Sequence, residues 1–299
     1  MGLHRLLRNL RTFGPAGLPV GRAADRRDGE YASSASPVIV GGCGRSGTTL
    51  LRVMLDSHRN LCCGPESELL LPHKIRPHVL AERFDMPPRK LASLVSSSRS
   101  RGQFIERFFA EYAAAQCKPR WAEKTPANIL HLDYLFEAFP SAKVVHMIRD
   151  GRDVACSLRT HPRHKVVNGQ LVPRNTWNPL DECIGKWVDA VRAGQAYRGD
   201  ERYMEMRYEE LVAEPRSTLE RLMQFLGEPW DEAMLQYDKV ESTSRDVTKF
   251  PQNPEARRKV ETRSVQRWRS DLSEADVAMF KAIGGELLVE LCYERSMDW

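Results

Sequence analysis

No stretch of this chain approaches 18 consecutive apolar residues, so no transmembrane helix is expected. No CxxC pair occurs. The seven cysteines (Cys43, Cys62, Cys63, Cys117, Cys156, Cys183 and Cys292) are scattered and odd in number. That pattern fits neither a zinc site nor a disulfide framework, so a reduced, cytoplasmic setting without a bound metal is expected. Charge of one sign does not dominate either: 45 Lys and Arg stand against 40 Asp and Glu, a net charge of +5. This suits an anionic ligand but is too small to argue for nucleic acid, and no basic stripe interleaved with aromatics supports one. Internal repeats and low-complexity tracts are missing as well.

What is present fits one large domain or two small ones. At 299 residues, 41% of them apolar, the chain can bury a full core. Leu3, Leu6, Leu7 and Leu10 recur at helical spacing with Arg5, Arg8 and Arg11 between them. This segment lacks the continuous apolar region of a signal peptide. It reads either as a frayed tail or as a basic amphipathic helix making weak contact with a membrane surface. Residues Gly14 to Ser36 are rich in Gly, Pro, Arg, Asp and Ser and read as a linker. Residues 1–36 are therefore tail and linker, and 37–299 the folded domain.

From Pro37 onward apolar strands alternate with helices. Strands are expected at Val38–Val40, Leu61–Cys63, Arg120–Glu123, Lys143–Arg149 and Arg202–Arg207. Helices are expected over Thr48–Asp56, Val79–Val95, Gln103–Gln116, Pro126–Ala138, Asp150–Leu158, Asp181–Tyr197, Leu211–Leu226 and Ser273–Leu291. The alternation implies a parallel sheet covered on both faces: an α/β fold, P-loop-like, in three α/β/α layers. Trp187 and Trp230 read as core, and His58, His73 and His78 as structural or surface residues.

Two stretches carry chemistry. In the first, the strand Val38–Val40 enters Gly41-Gly42-Cys43-Gly44-Arg45-Ser46-Gly47-Thr48-Thr49 and then a helix. Backbone N–H groups of such a loop and of the helix's first turn face a phosphate. The spacing Gly42-x-x-x-x-Gly47-Thr48-Thr49 is that of a Walker A loop with Thr48 where the lysine belongs. That lysine serves the β- and γ-phosphates of a triphosphate, so a different phosphate arrangement is expected. A plain glycine turn explains the glycines but not Arg45, Ser46, Thr48 and Thr49 together at one helix start. In the second stretch, Val144–Ile148 ends in Arg149-Asp150-Gly151-Arg152-Asp153, with Ser157 two helical turns on. Both loops follow strand carboxyl ends and would share one crevice. For Arg149 and Ser157, spacing alone fits a capped helix with a surface salt bridge equally well. No strand ends in the magnesium-binding Asp of a Walker B element.

Together the two stretches resemble the sulfotransferases that use 3′-phosphoadenosine 5′-phosphosulfate (PAPS). In that family an R-S-G-T-T-L loop binds the 5′-phosphosulfate, here Arg45 to Leu50. An R-D-x-R-x-x-x-x-S stretch binds the 3′-phosphate through its Arg and Ser, here Arg149 and Ser157. The resemblance runs from Pro37 to about Asp271 and is closest to the tyrosylprotein sulfotransferase branch. There the sequence continues much as Leu51 to His58 does, followed by Cys63-Gly64-x-Glu66. The resemblance implies Glu66 as general base and Lys124, in Glu123-Lys124-Thr125-Pro126, as the catalytic lysine. It places Tyr208 near the nucleotide. It matches Lys259 and Ser264–Trp268 to the nucleotide lid. By this reading Arg45, Ser46, Gly47, Thr48, Thr49, Arg149, Ser157, Tyr208 and Lys259 hold PAPS, and Glu66, Lys124 and Arg45 act on the reaction without a metal. The expected partners are a hydroxyl-bearing acceptor and, as an assembly, a homodimer.

The residue types suit that chemistry independently. Sulfuryl transfer, like phosphoryl transfer, relies on in-line positioning and charge stabilisation. A carboxylate can take the acceptor's proton, while Lys and Arg can neutralise the departing phosphate. One departure stands out. The tyrosylprotein branch has a basic residue two positions after the glutamate, for acidic peptides, whereas this chain has Glu68, which would repel them. The Thr160–Asn178 loop is expected to border the acceptor. A tyrosine, sugar, lipid or small metabolite therefore stays open as acceptor. A P-loop kinase-like phosphotransferase and a non-catalytic nucleotide-binding module are the competing readings.

Overall fold

The computed structural model describes residues 31–72, 75–161, 163–167, 170–174, 177–239 and 264–299. The expectations for residues 1–30, for His73 and for Lys259 lie outside the described residues. Among the described residues no helix is long and apolar enough to cross a membrane.

Five strands form one parallel sheet: β1 (Val38–Gly42), β2 (Leu61–Cys63), β3 (Arg120–Lys124), β4 (Lys143–Ile148) and β7 (Tyr203–Arg207), in the order β2-β3-β1-β4-β7. β1 is central, and all five of its residues are buried. That is why its sequence is continuously apolar where a half-buried strand would alternate. Its side chains still divide between two cores. Ile39 packs with Trp121, Val144 and Ile148 on one face, and Val38 and Val40 pack with Ala122, Val145 and Met147 on the other. Parallel strands need crossover helices, and these fill both faces. On the second face lie α1 (Thr48–Ser57), through Leu51, Met54 and Leu55, and α9 (Pro215–Leu226), through Leu219 and Leu222. On the first lie α4 (Arg101–Ala115), through Phe104, Phe108 and Phe109, α5 (Leu132–Ala138), and α7 (Leu180–Gln195), through Trp187. The three-layer expectation is met.

The register sets where chemistry can occur. Val40 lies level with Lys124 on β3 and Val145 on β4, Gly42 with Met147, and Ile148 with Arg207. Parallel direction therefore brings the exits of β1, β3, β4 and β7 to one rim. α6 (Gly151–Arg159) and α8 (Tyr208–Ala213) leave directly from that rim.

Several elements differ from expectation, each at a proline or a turn signal. The single helix expected over Val79–Val95 is two, α2 (Pro77–Arg83) and α3 (Pro88–Ser97). Asp85 turns left-handed at φ 51, and Pro88 opens the second helix because it cannot continue the first. The segment from Pro126 begins as a 3₁₀ turn (Pro126–His131) and becomes α5 only at Leu132. The helix expected over Leu211–Leu226 starts earlier, as α8, and breaks at Glu214, because the residue before Pro215 is pushed out of the helical region. The Thr160–Asn178 segment, expected as a loop, contains an antiparallel pair, β5 (Arg163–Val167) and β6 (Gln170–Arg174), with Val167 level with Gln170. The dipeptide Asn168-Gly169 between the apolar pairs Val166-Val167 and Leu171-Val172 was the hairpin signal. Helix α11 (Glu274–Glu290) closes the chain behind a capping box at Ser273 and Asp276.

Among the cysteines, only Cys117 and Cys292 are exposed, and none is in a disulfide. Burial pushes the thiol of Cys43, beside the glycine loop, up to about 12, so no thiolate forms there near neutrality. Iodoacetamide on the folded protein at pH 7.5 should therefore label Cys117 and Cys292 and spare Cys43. Peptide mass mapping checks this, and rapid labelling of Cys43 would contradict the packing described.

Candidate active site

The first rim loop leaves β1 at Gly42, whose φ is 144. A Cβ there would lie 2.4 Å from the Met147 carbonyl oxygen, so β4 packs where a side chain would stand. The chain turns through Cys43–Ser46, with the Ser46 amide donating to the Cys43 carbonyl at 3.2 Å. Arg45 sits at φ 75, a conformation that costs a non-glycine residue roughly 1–2 kcal/mol. Gly47, at φ 90, occupies the N-cap of α1 and offers no side chain to cap it. The first-turn N–H groups are thus left for an anion. The Ser46 hydroxyl is buried and has no hydrogen-bond partner among the described residues. A buried polar atom without a partner is costly, and here it stands in the loop whose amides suit a phosphate.

The second rim loop lies beside the first. The Arg149 guanidinium donates from Nη1 to the Arg45 carbonyl at 3.0 Å, which holds the unusual Arg45 backbone in place. Its Nη2 donates to the Ser264 carbonyl, and its plane lies 4.6 Å from the Tyr208 ring centroid. The Arg149 Nε is buried without a partner among the described residues. Tyr208, at the start of α8, packs its ring on Gly47. A Cβ on that glycine would come within 2.3 Å of the ring. The Tyr208 hydroxyl pairs with the Ser264 hydroxyl at 2.7 Å. Ser157 lies against the first loop because α6 packs alongside it: the Arg45 Nε donates to the Ser157 hydroxyl at 3.0 Å.

Behind this rim a polar cluster fixes the start of α6. Asp150 caps the helix by accepting the Arg152 amide at 2.9 Å. It also receives that arginine's fork, Nε at 3.0 Å and Nη2 at 2.8 Å. The Arg152 guanidinium lies over Trp268 at 3.9 Å and over Trp299 at 4.8 Å. Asp153 is fully buried and accepts the amides of Gln266 at 2.8 Å and Trp268 at 3.0 Å. Burial pushes its carboxyl above the usual range, against the pull of those bonds and of Arg149. Residues 264–268 are in this way stapled to the phosphate rim.

The third group stands where β3 exits. Lys124, buried, pairs its ammonium with the Glu66 carboxylate, whose side chain is 38% exposed. The same ammonium lies 3.4 Å from the Thr49 hydroxyl in the first turn of α1. A carboxylate open to solvent and a buried cation thus share one end of the phosphate loop. The Arg83 guanidinium donates to the Glu66 carbonyl. Glu68 pairs with Arg76 at 2.6 Å and lies 3.9 Å from Arg83. The negative charge expected to repel an acidic partner is therefore largely compensated.

The structure brings together Arg45, Ser46, Gly47, Thr48, Thr49, Arg149, Ser157 and Tyr208 at the rim, and sets Glu66 and Lys124 beside Thr49. Trp187 is fully buried core as expected, but its indole N–H also donates to the Arg149 carbonyl at 3.0 Å. A buried indole needs such a partner, which was the available signal. Trp230 is only partly buried. His58 is structural as expected, its ring between the Asn60 amide at 3.0 Å and the Pro229 carbonyl at 2.9 Å. Sequence reasoning missed Glu123 and Arg83 and took Asp153, like Asp150, only as suited to the helix N-terminus; each bonds to residues of the rim or of its neighbouring segments. Among the described residues no three His, Cys, Asp or Glu side chains converge as a metal set.

Comparison with known proteins follows this geometry. The sequence profile of the sulfotransferase family matches residues 37–232. Over 239 residues, 73% of the chain, it is 28% identical to a protein-tyrosine sulfotransferase of Drosophila melanogaster, covering 46% of that protein. The nodulation protein NoeE of Sinorhizobium fredii is 27% identical over 277 residues, 86% of this chain and 66% of its own length. The chain spans about half the length of the first curated relatives it matches. Among solved structures, the sulfotransferase domain from the curacin biosynthetic pathway superposes with a TM-score of 0.63 at 19% identity, over 86% of this chain and 98% of that one. The sulfotransferase domain of a Synechococcus olefin synthase gives 0.60 at 22%, over 86% and 97%. These structures share the fold.

Replacing Gly47 tests the loop. Gly47→Ala should destabilise the protein by roughly 1–3 kcal/mol, from the φ 90 backbone and the Tyr208 overlap. It should also abolish protection by inorganic phosphate in thermal denaturation. An unchanged midpoint would show that the ring does not pack there.

Proposed function

The chain belongs to the sulfotransferase family, and we propose that it moves a sulfuryl group from PAPS to an acceptor hydroxyl. The observation that carries this reading is the contiguity of the Lys124–Glu66 pair with Thr49 in the first turn of the phosphate-loop helix. A carboxylate and a cation at the end of the glycine loop support a base and a charge stabiliser acting there. The hydroxyl of Ser46 and the Nε of Arg149, both without a partner among the described residues, support a site for the two phosphates of such a nucleotide.

Bound PAPS would supply the activated sulfuryl group. The loop amides of Ser46–Thr49 and the Arg45 side chain would hold its 5′-phosphate. Arg149 and Ser157 would hold the 3′-phosphate, with Tyr208 packed between Arg149 and Gly47. Glu66, solvent-open and anchored through its carbonyl by Arg83, takes the acceptor's proton as the acceptor oxygen bonds to sulfur. As the sulfur–oxygen bond to the 5′-phosphate breaks, Lys124 and Arg45 neutralise the charge left on that phosphate. Glu66 then returns its proton to water. The tyrosine acceptors named for the curated relatives and the compensated Glu68 support keeping a phenolic hydroxyl among the candidates, beside sugar, lipid and small-metabolite hydroxyls.

Calorimetry with adenosine 3′,5′-bisphosphate, the desulfated product, tests the reading. Binding is expected, and its absence at millimolar ligand would overturn it. Arg149→Ala should weaken the bisphosphate by about 2 kcal/mol, roughly 30-fold, beyond the loss it causes for AMP, which loses only the support that Arg149 gives the Arg45 backbone. Equal losses would deny Arg149 the 3′-phosphate. Glu66→Gln should keep bisphosphate binding and lower kcat by about 10²–10⁴-fold, read as transfer from labelled PAPS in an acceptor screen. Retained turnover would remove Glu66 as the base.

A further inference from the structure

Glu123 is 1% exposed at the end of β3, and no salt bridge to it is found among the described residues. A buried carboxylate without a cation is expensive unless hydrogen bonds replace its water, and here they come from two separate segments. One oxygen, Oε1, accepts the Ser67 amide at 3.2 Å, the Ser67 hydroxyl at 2.8 Å and the Thr125 hydroxyl at 2.6 Å. The other accepts the Asn128 side-chain amide. The network extends one bond further on each side: the Thr125 hydroxyl accepts the Glu68 amide at 3.3 Å, and the Ser67 hydroxyl accepts the Leu69 amide at 3.1 Å. The segment immediately after Glu66 is thereby tied to the segment immediately after Lys124. Neighbouring residues of a strand point to opposite faces, so Glu123 reaches away from the side on which Lys124 meets Glu66.

We propose that Glu123 is a positioning residue that sets the spacing of Glu66 and Lys124 by tethering Ser67 to the Thr125–Asn128 turn. The inference rests on the sulfotransferase reading of the site. It names a residue that does not touch substrate and acts on the acceptor side alone. Burial pushes its carboxyl above the usual range, opposed by the bonds from Thr125, Asn128 and Ser67.

The variants are Glu123→Ala, which removes the tether, and Glu123→Gln, which keeps its shape. The Asn128 side-chain Oδ1 is buried without a partner among the described residues, so a flipped Asn128 amide can receive the new NH₂ group. Thr125→Val, which deletes one hydroxyl of the network, serves if the alanine variant does not fold. Three readouts separate the outcomes. Adenosine 3′,5′-bisphosphate affinity, by calorimetry, should stay within about threefold in all variants. Hydrogen exchange at the Ser67 and Glu68 amides should accelerate at least tenfold in Glu123→Ala. With labelled PAPS and 4-nitrophenol as acceptor, kcat should fall about 30- to 100-fold in Glu123→Ala and recover to within about fivefold in Glu123→Gln, with KM for PAPS unchanged. Normal kcat in Glu123→Ala, or unchanged exchange at Ser67, would overturn the tether. A wild-type protein that fails to bind the bisphosphate would overturn the sulfotransferase reading itself, while the exchange result would still decide whether the tether exists.

Discussion

The guanidinium of Arg149 is the contact on which the phosphate end of this molecule depends. It leaves β4 at the sheet rim and bonds the Arg45 carbonyl of one loop and the Ser264 carbonyl of another, while lying on the ring of Tyr208. Tyr208 in turn fills the space above Gly47. One buried cation thus joins the glycine loop, the start of α8 and the segment at 264–268. Its own carbonyl is held from behind by the Trp187 indole. Taking a guanidinium out of water is offset only when most of its donors are used. The remaining Nε is buried and has no partner among the described residues.

The acceptor end is built differently. Its charged pair is asymmetric: Lys124 is buried, whereas Glu66 is half open to solvent. That asymmetry suits the proposed mechanism, in which a base must meet a substrate from outside and a charge stabiliser gains strength by being withheld from water. The framework that keeps them together is not itself charged against them. It is a web of neutral donors converging on Glu123, with Arg83 securing the Glu66 backbone from the other side. The two ends meet at α1, whose first turn carries the Thr49 that touches Lys124.

Much of this was legible beforehand, and the reasons are local. A continuous apolar β1, the glycine loop and the following helix obey rules that operate within a dozen residues, so the phosphate loop and the parallel sheet could be read directly. Helix ends at Pro88 and Pro215 followed the same local chemistry but were overrun by apolar periodicity. The Asn168-Gly169 signal was passed over inside a basic segment. Ser157 illustrates the boundary: its spacing from Arg149 allowed either a salt-bridged surface helix or a ligand contact. Only the packing of α6 beside the glycine loop brings the Ser157 hydroxyl to Arg45.

By itself, the sequence determined the fold class and the strand–glycine loop–helix at Gly42–Thr49, because these are written in contiguous residues whose backbone preferences act locally, whereas Glu66, Lys124 and Arg149 stood out only through the family resemblance. Tertiary structure alone decided that Lys124 meets Glu66 across 58 positions, that Glu123 accepts bonds from the segments following both, that Arg149 grips residues 104 and 115 positions away, and that Glu68 pairs with Arg76. The register of parallel strands and the packing of crossover helices bring those groups together. Both are set by burial summed over the whole sheet and leave no periodic trace at any one site.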